Sequence, residues 1–442
     1  MWILQKIKFI YEDKVLATIM LVLFNIMFVP IEQGSFSPVK ITFMGLCPLI
    51  FIAKKPIVTK ALVLAAIYWL VCYTLSLLKG EMRFSTLGFL GMYLILYINY
   101  YSFIVKGTFT LEYFTKVLKY LIIAYAVVLI GQQICVLVGL RNMPLLNLQN
   151  QFFLSITKLP SLTLEPSHSA RILTFTMLGY LRCMEIKKGK RISLQEWFSP
   201  EQRIVTFSFL WSMLMMGSGT AFVGMGVLSL YFITRKTVIY IIPLIIGMFM
   251  LGQSMELKQM DRAVALAEAA STGSAEEAMA ADGSGATRII PVMNVFTKTD
   301  VTQLETWIGK KSMEKDEYWW KRTDTKIYDQ YGLLAYLILL TFVFSCAIHR
   351  FFSLESLLFL ALLGANLINF YYVWGCLMIM TGVRYFQNNY VEQSVLITDQ
   401  EKDYEDCNNP CHLHEQCGEI YRRDIGLHHG TNDARLSPAD RQ

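Results

Sequence analysis

The run Val117–Leu140, VLKYLIIAYAVVLIGQQICVLVGL, carries a single charge, Lys119, in 24 residues. A helix of that length rises roughly 36 Å at about 1.5 Å per residue, enough to cross about 30 Å of hydrocarbon. Apolar runs that could also span precede it at Val15–Ile31, Val39–Ala53, Ile57–Leu78 and Leu87–Val105. Others follow at Ile172–Met184, Ile204–Met216, Ala221–Ile233, Val238–Leu251, Tyr331–Ile348 and Leu354–Met380. The last is long enough for one steep span or for two broken half-spans. With 54% hydrophobic and 17% charged residues and a mean hydropathy of +0.42, the chain is too apolar for a soluble protein of 442 residues. The expected fold class is an all-α polytopic integral membrane protein. It would have about 11–12 transmembrane helices and one large extracytoplasmic loop between late spans.

Lys and Arg placement orients the set. Lys54, Lys55 and Lys60, then Lys106, Lys116 and Lys119, then Arg182 through Arg203, then Arg235 and Lys236, fall in alternate loops. The positive-inside rule makes those loops and the amino terminus cytoplasmic. The first run follows Lys6, Lys8 and Lys14 with no small-residue cleavage site after it, so it reads as a retained span. The expected organisation is transmembrane helices over 1–252, an extracytoplasmic loop domain over 253–330, further transmembrane helices over 331–382 and a polar tail over 383–442. Within the loop, 255–281 has the Ala- and Glu-rich spacing of surface helices, and Tyr318-Trp319-Trp320 suits the headgroup level.

The net charge of +6 is accounted for by topology and gives no nucleic-acid signal. Five of the nine cysteines, Cys47, Cys72, Cys135, Cys346 and Cys376, lie inside apolar runs and read as small hydrophobes. In the tail, Cys407, Cys411, His412, His414 and Cys417 fit none of the strong zinc spacings, and a disordered or atypical tail is the better reading.

The chemistry gathers in Leu162-Thr163-Leu164-Glu165-Pro166-Ser167-His168-Ser169-Ala170-Arg171, where three ionisable side chains stand at the head of an apolar run. An ionic group at the centre of a bilayer costs about 2.5–3.5 kcal/mol on insertion scales, so such residues rarely lack a use. Pro166 suits the first turn of a helix and disfavours helical geometry at Glu165. His168 and Arg171 are three apart and share a face. A helix amino terminus bearing an Arg is an anion site, and a carboxylate and an imidazole beside it equip the segment to move a proton next to a phosphate leaving group. The plainer alternative is that Glu165 only caps the helix and Arg171 only anchors it. Gly217-Ser218-Gly219-Thr220 is either a tight outward hairpin or irregular backbone lining a cavity.

Glu-Pro-Ser-His at the start of one span, Gly-Ser-Gly-Thr heading another, a large outer loop with Arg288, and Asp329-Gln330-Tyr331-Gly332-Leu333-Leu334 leading into a late span together resemble the bacterial polysaccharide polymerases of the Wzy type. The O-antigen ligases of the same superfamily are similar more distantly. The resemblance covers roughly 162–340 by motifs and the rest by span pattern. It implies a metal-independent glycosyltransferase without a cofactor, in the bacterial inner membrane. Its partners would be undecaprenyl-pyrophosphate-linked oligosaccharide, membrane lipid and a chain-length regulator protein. Carried over residue by residue, Arg171 and Arg288 would bind the diphosphate, and Glu165 and His168 compete for the general base. An unperturbed imidazole favours His168, and burial of Glu165 would reverse the choice. A flippase or transporter of lipid-linked sugars is the alternative from another class. It would place ionisable groups near the midplane, where this chain has amides such as Gln132, Gln133, Asn366 and Asn369.

Overall fold

The computed structural model describes residues 12–26, 37–55, 57–80, 84–140, 142–148, 156–233, 299–309, 331–364 and 371–408, with side chains as far as 389, and a few isolated positions. All regular structure among them is helical, apart from one isolated bridge between Met143 and Leu148. The chain divides into two units, Met1–Gln387 and Asn388–Gln442. The second is helical to Asn408.

In the first unit, α1 (Asp13–Asn25), α2 (Pro38–Ala53), α3 (Lys60–Leu78), α4 (Phe84–Val105) and α5 (Leu111–Leu137) follow the apolar runs of the sequence. Capping residues set several of their starts. Ser37, Thr59 and Thr110 each accept a hydrogen bond from a first-turn N–H, and Pro38 occupies a position where no N–H is needed. Next come α6 (Pro166–Lys188), the short α7 (Leu194–Trp197), α8 (Arg203–Met215) and α9 (Gly219–Ser229), the last followed by a 3-10 turn at Leu230–Phe232. The set is completed by the short α10 (Leu304–Ile308), then α11 (Gly332–Cys346), α12 (Leu354–Leu362) and α13 (Tyr371–Asn408).

Three helices among the described residues, α3, α4 and α5, are long and apolar enough to cross a membrane, and α2, α8, α9 with its 3-10 turn, and α11 are shorter apolar helices. The run Leu354–Met380 is divided between α12 and α13. The expected span Val238–Leu251, Arg288, 255–281 apart from isolated positions, and Tyr318-Trp319-Trp320 lie outside the described residues, as do the side chains of the Cys/His tail.

Contacts between helix termini define two ends. At one, Lys54 pairs with Asp13 at 2.8 Å, and the Lys106 ammonium donates to the Lys54 carbonyl. There Arg384 donates to the carbonyls of Phe344 and Ile348, and Arg182 bonds Glu355. At the opposite end Asn25 donates to the Gly375 carbonyl, Lys158 N–H to the Met215 carbonyl, and Lys79 lies over the Tyr331 ring. The two central helices, α6 and α13, run in the same direction between these ends. Arg171 meets Tyr372 near their starts, and a Cβ on Gly179 would lie 2.8 Å from Ile379 further along. The helices around them turn large apolar side chains outward, including Leu49, Leu70, Val127, Leu137 and Ile204, each more than half exposed. The polar residues Ser169, Thr174 and Thr176 of α6 are instead fully buried.

Candidate functional site

Helix α6 starts six residues earlier than the apolar run Ile172–Met184 suggested, because its first turns are polar yet buried. Glu165 is its N-cap residue, with extended φ/ψ of −136° and 142°, and Pro166 is its first helical residue, as the sequence requires. The helix ends at Gly189, which adopts a left-handed φ of 65° after Lys187 and Lys188 in the last turn.

The loop ahead of Glu165 is held by amides from elsewhere. Ser161 stands at φ 53°, a conformation that a non-glycine residue keeps only when its surroundings fix it. Its N–H donates to the Gln132 side chain at 2.9 Å, and its hydroxyl to the Tyr125 carbonyl at 2.6 Å. Its own carbonyl accepts from Gln132 and Asn147. Thr163 then donates to the Glu165 carbonyl at 2.6 Å, and Ser169 to that of Pro160. Gln132 is therefore the buried bracket that fixes where the loop delivers Glu165. Its amide satisfies five otherwise costly polar groups at once: its own two, the Ser161 N–H and carbonyl, and the Leu146 carbonyl.

The Glu165 carboxylate makes no capping bond and its side chain is 63% exposed, so the plain capping role does not describe it. It accepts from the Ser167 hydroxyl at 3.3 Å and lies 3.7 Å from His168 Nε2, an ion-pair distance beyond good hydrogen-bonding range. The His168 ring is largely enclosed and stacks on Tyr372, with centroids 4.5 Å apart and planes at 28°. One turn along, Arg171 donates from Nη1 to the Tyr372 hydroxyl at 2.6 Å, and its guanidinium carbon lies 5.0 Å from the same ring. Residues 168 and 171 thus share a face of α6, and that face is turned to Tyr372. No local signal marks this tyrosine, whose contact partner is 201 residues away.

Arg171 is only 3% exposed, yet it meets no carboxylate among the described residues, and its Nε–H has no acceptor. Leaving a charge buried without an ionic partner is costly, and proteins ordinarily pair or neutralise such a group. Local electrostatics sharpen the point. Helix α9 runs alongside α6 in the same direction, since Gly224 meets Thr174 and Tyr231 meets Glu185 further on. The starts of α6, α9 and α13 therefore lie at the same end, which is the positive end of each helix dipole. A buried cation near three such helix ends favours an anion, and Glu165 and His168 lie within a turn or two of that cation on the same helix.

The turn at Gly217-Ser218-Gly219-Thr220 is a tight one, with Gly217 at φ 52° and Ser218 capping α9 by accepting from Thr220 N–H. Of the four expected site residues, Glu165, His168 and Arg171 come together, and Arg288 lies outside the described residues. No protein-family model matches this sequence, and no curated protein or solved structure is significantly similar to it.

Proposed function

We propose that this chain is a multi-pass glycosyltransferase of the bacterial inner membrane, a Wzy-type polysaccharide polymerase. It would move a growing glycan from undecaprenyl pyrophosphate to a lipid-linked oligosaccharide at the outer leaflet. The outward apolar faces of α2, α3, α5 and α8 support the membrane setting, because a soluble bundle of this size would keep such side chains inside. The separation of helix termini into two ends supports the alternating topology expected from Lys and Arg placement.

The observation that carries the catalytic reading is the buried guanidinium of Arg171, which meets no carboxylate among the described residues, set beside Glu165 and His168. In the reaction an acceptor sugar hydroxyl forms a bond to the donor's anomeric carbon, and the bond from that carbon to the diphosphate oxygen breaks. The hydroxyl proton passes to the His168–Glu165 pair. His168 takes it, and the Glu165 carboxylate 3.7 Å away holds the resulting imidazolium. The departing lipid diphosphate keeps the electron pair, and Arg171 and the helix termini meet its growing charge in a site shielded from water. Tyr372 fixes base and anion contact relative to one another, since one side chain touches both. Arg288 is the second diphosphate contact in this reading.

The test is to reconstitute purified protein with a lipid-linked repeat unit and resolve the products by chain length. A ladder of longer lipid-linked products is expected. His168→Ala, Glu165→Ala and Arg288→Ala should express normally and give no ladder. Elongation only when a lipid-A core is added would indicate a ligase instead, and no transfer at all would return the chain to the transporter class.

A further inference from the structure

We infer that the amino-terminal turn of α9 is a second phosphate station of the Arg171 site. The Thr220 hydroxyl and the Gly219 N–H would bind the second phosphate of a diphosphate whose first phosphate meets Arg171. The inference rests on the diphosphate reading of Arg171 given above, and it adds residues to which neither capping nor packing gives a role.

On α6, successive residues turn by about 100°, which sets Arg171 about 60° from Thr174 on one side and about 60° from His168 on the other. Thr174 faces α9, where a Cβ on Gly224 would lie 2.3 Å from its hydroxyl, and His168 faces Tyr372 of α13. Arg171 therefore stands in the seam between α9 and α13. On α9, Thr220 is four residues before Gly224 and shares its face, so it addresses α6 one turn nearer the helix starts, at the level of Ala170 and Arg171.

Thr220 is 3% exposed and its hydroxyl has no hydrogen-bond partner. Four other buried hydroxyls share that state. Tyr68 and Tyr100 carry theirs at the tips of buried rings on α3 and α4, and Ser102 and Ser212 each sit inside a helix and need only a χ1 rotation to reach the carbonyl four residues back. Thr174, Thr176 and Thr381 do bond in that way. Thr220 is in a first turn, where the chain four residues back has left the helix, so no rotamer supplies that partner. Ser218 caps the Thr220 N–H and its carbonyl takes those of Ala221 and Phe222. Gly219 N–H donates to no group among the described residues, and the space where its Cβ would be is open for 4 Å. Helices α6 and α9 thus each bring an unpartnered donor to this level, Arg171 Nε–H from one and the Thr220 hydroxyl from the other. Two donors from two helices suit an anion with oxygens on two centres better than a single phosphate.

Binding of farnesyl diphosphate and farnesyl monophosphate to the full chain in detergent tests the assignment. The wild type should prefer the diphosphate by about tenfold, the scale of one charge-assisted hydrogen bond. Thr220→Val, which keeps the shape and removes the hydroxyl, should bring that preference close to one without weakening the monophosphate. Thr220→Ser should keep it, and this pair separates a lost hydroxyl from a misfolded chain. Undiminished diphosphate preference in Thr220→Val overturns the second station and leaves Arg171 standing. Failure of the wild type to bind either lipid overturns both readings.

Discussion

At the scale of single residues, Tyr372 is the hinge of the site. It accepts from the Arg171 guanidinium through its hydroxyl and carries the His168 ring on its face. Those two roles are separable. Tyr372→Phe keeps the stacking and removes the hydroxyl, which leaves Arg171 with no hydrogen-bond partner among the described residues. A lost hydrogen bond to a charged group costs about 1.5–3 kcal/mol, so if the hydroxyl positions the guanidinium, product formation should fall about ten- to hundredfold. Tyr372→Ala should fall further because it frees His168 as well. Initial rates of ladder formation measure both, and equal rates for wild type and Tyr372→Phe would leave the hydroxyl without a role. Glu165, His168 and Arg171 were legible as candidates because three ionisable groups within seven residues stand out against an apolar background. Tyr372 was not legible, since a tyrosine at the head of an apolar run looks like any interfacial aromatic. Gln132 was visible only as an amide in a span, and its task of fixing the Ser161 loop depends on a contact 29 residues away.

At the scale of elements, the site depends on how closely α6 and α9 approach, and a glycine permits it. A Cβ at Gly224 would stand 2.3 Å from Thr174 Oγ1 and 3.4 Å from the Met213 methyl. Gly224→Ala should therefore force the helices apart, at a cost of about 1–3 kcal/mol in stability and with loss of transfer activity. The offending atom belongs to one side chain, which gives a sharper test. Thr174→Ala removes it, so the double substitution Gly224→Ala, Thr174→Ala should recover most of the stability lost in Gly224→Ala alone. Thermal unfolding of the four proteins in detergent measures the coupling, and additive losses would show that Thr174 does not set the spacing. The apolar runs located α2 to α5, α8 and α11 well, because in each the outer face is apolar as well as the inner one. The apolar run alone foreshortens α6, since Ser167, Ser169 and Arg171 are buried by neighbouring helices and hydropathy does not register a polar helix at the centre of a bundle, whereas Pro166 marked its true start. The division of Leu354–Met380 was left open by composition, and Gly364 at the end of α12 is a weak cue to it.

At the scale of the whole first unit, the two ends treat the arginines of α6 in opposite ways. Arg182 is paired, with Nε 2.6 Å from Glu355 and Nη1 2.7 Å from Glu185, and Tyr231 closes the cluster by donating to Glu185. Arg171, at the other end of the same helix, has a tyrosine and no carboxylate among the described residues. An ion pair that ties α6 to α12 holds the fold together, whereas a cation kept without its counter-charge burdens the fold and serves a ligand. Breaking the pair from one side leaves the other charge buried, so Arg182→Met should destabilise by about 3–5 kcal/mol, the range for uncoupling a buried pair, reduced to the extent that water reaches the half-buried Glu185. Arg171→Met leaves no orphaned carboxylate and lifts the cost of an unpaired buried charge. Its melting temperature should match or exceed that of the wild type, while glycan transfer and diphosphate binding are lost. Unfolding midpoints measured beside activity decide the matter. If Arg171→Met melts as early as Arg182→Met, Arg171 is a structural residue, and the anion site loses its central support. If it melts late and is inactive, the stability that the chain forgoes at Arg171 is the cost of holding a positive charge ready for a lipid diphosphate.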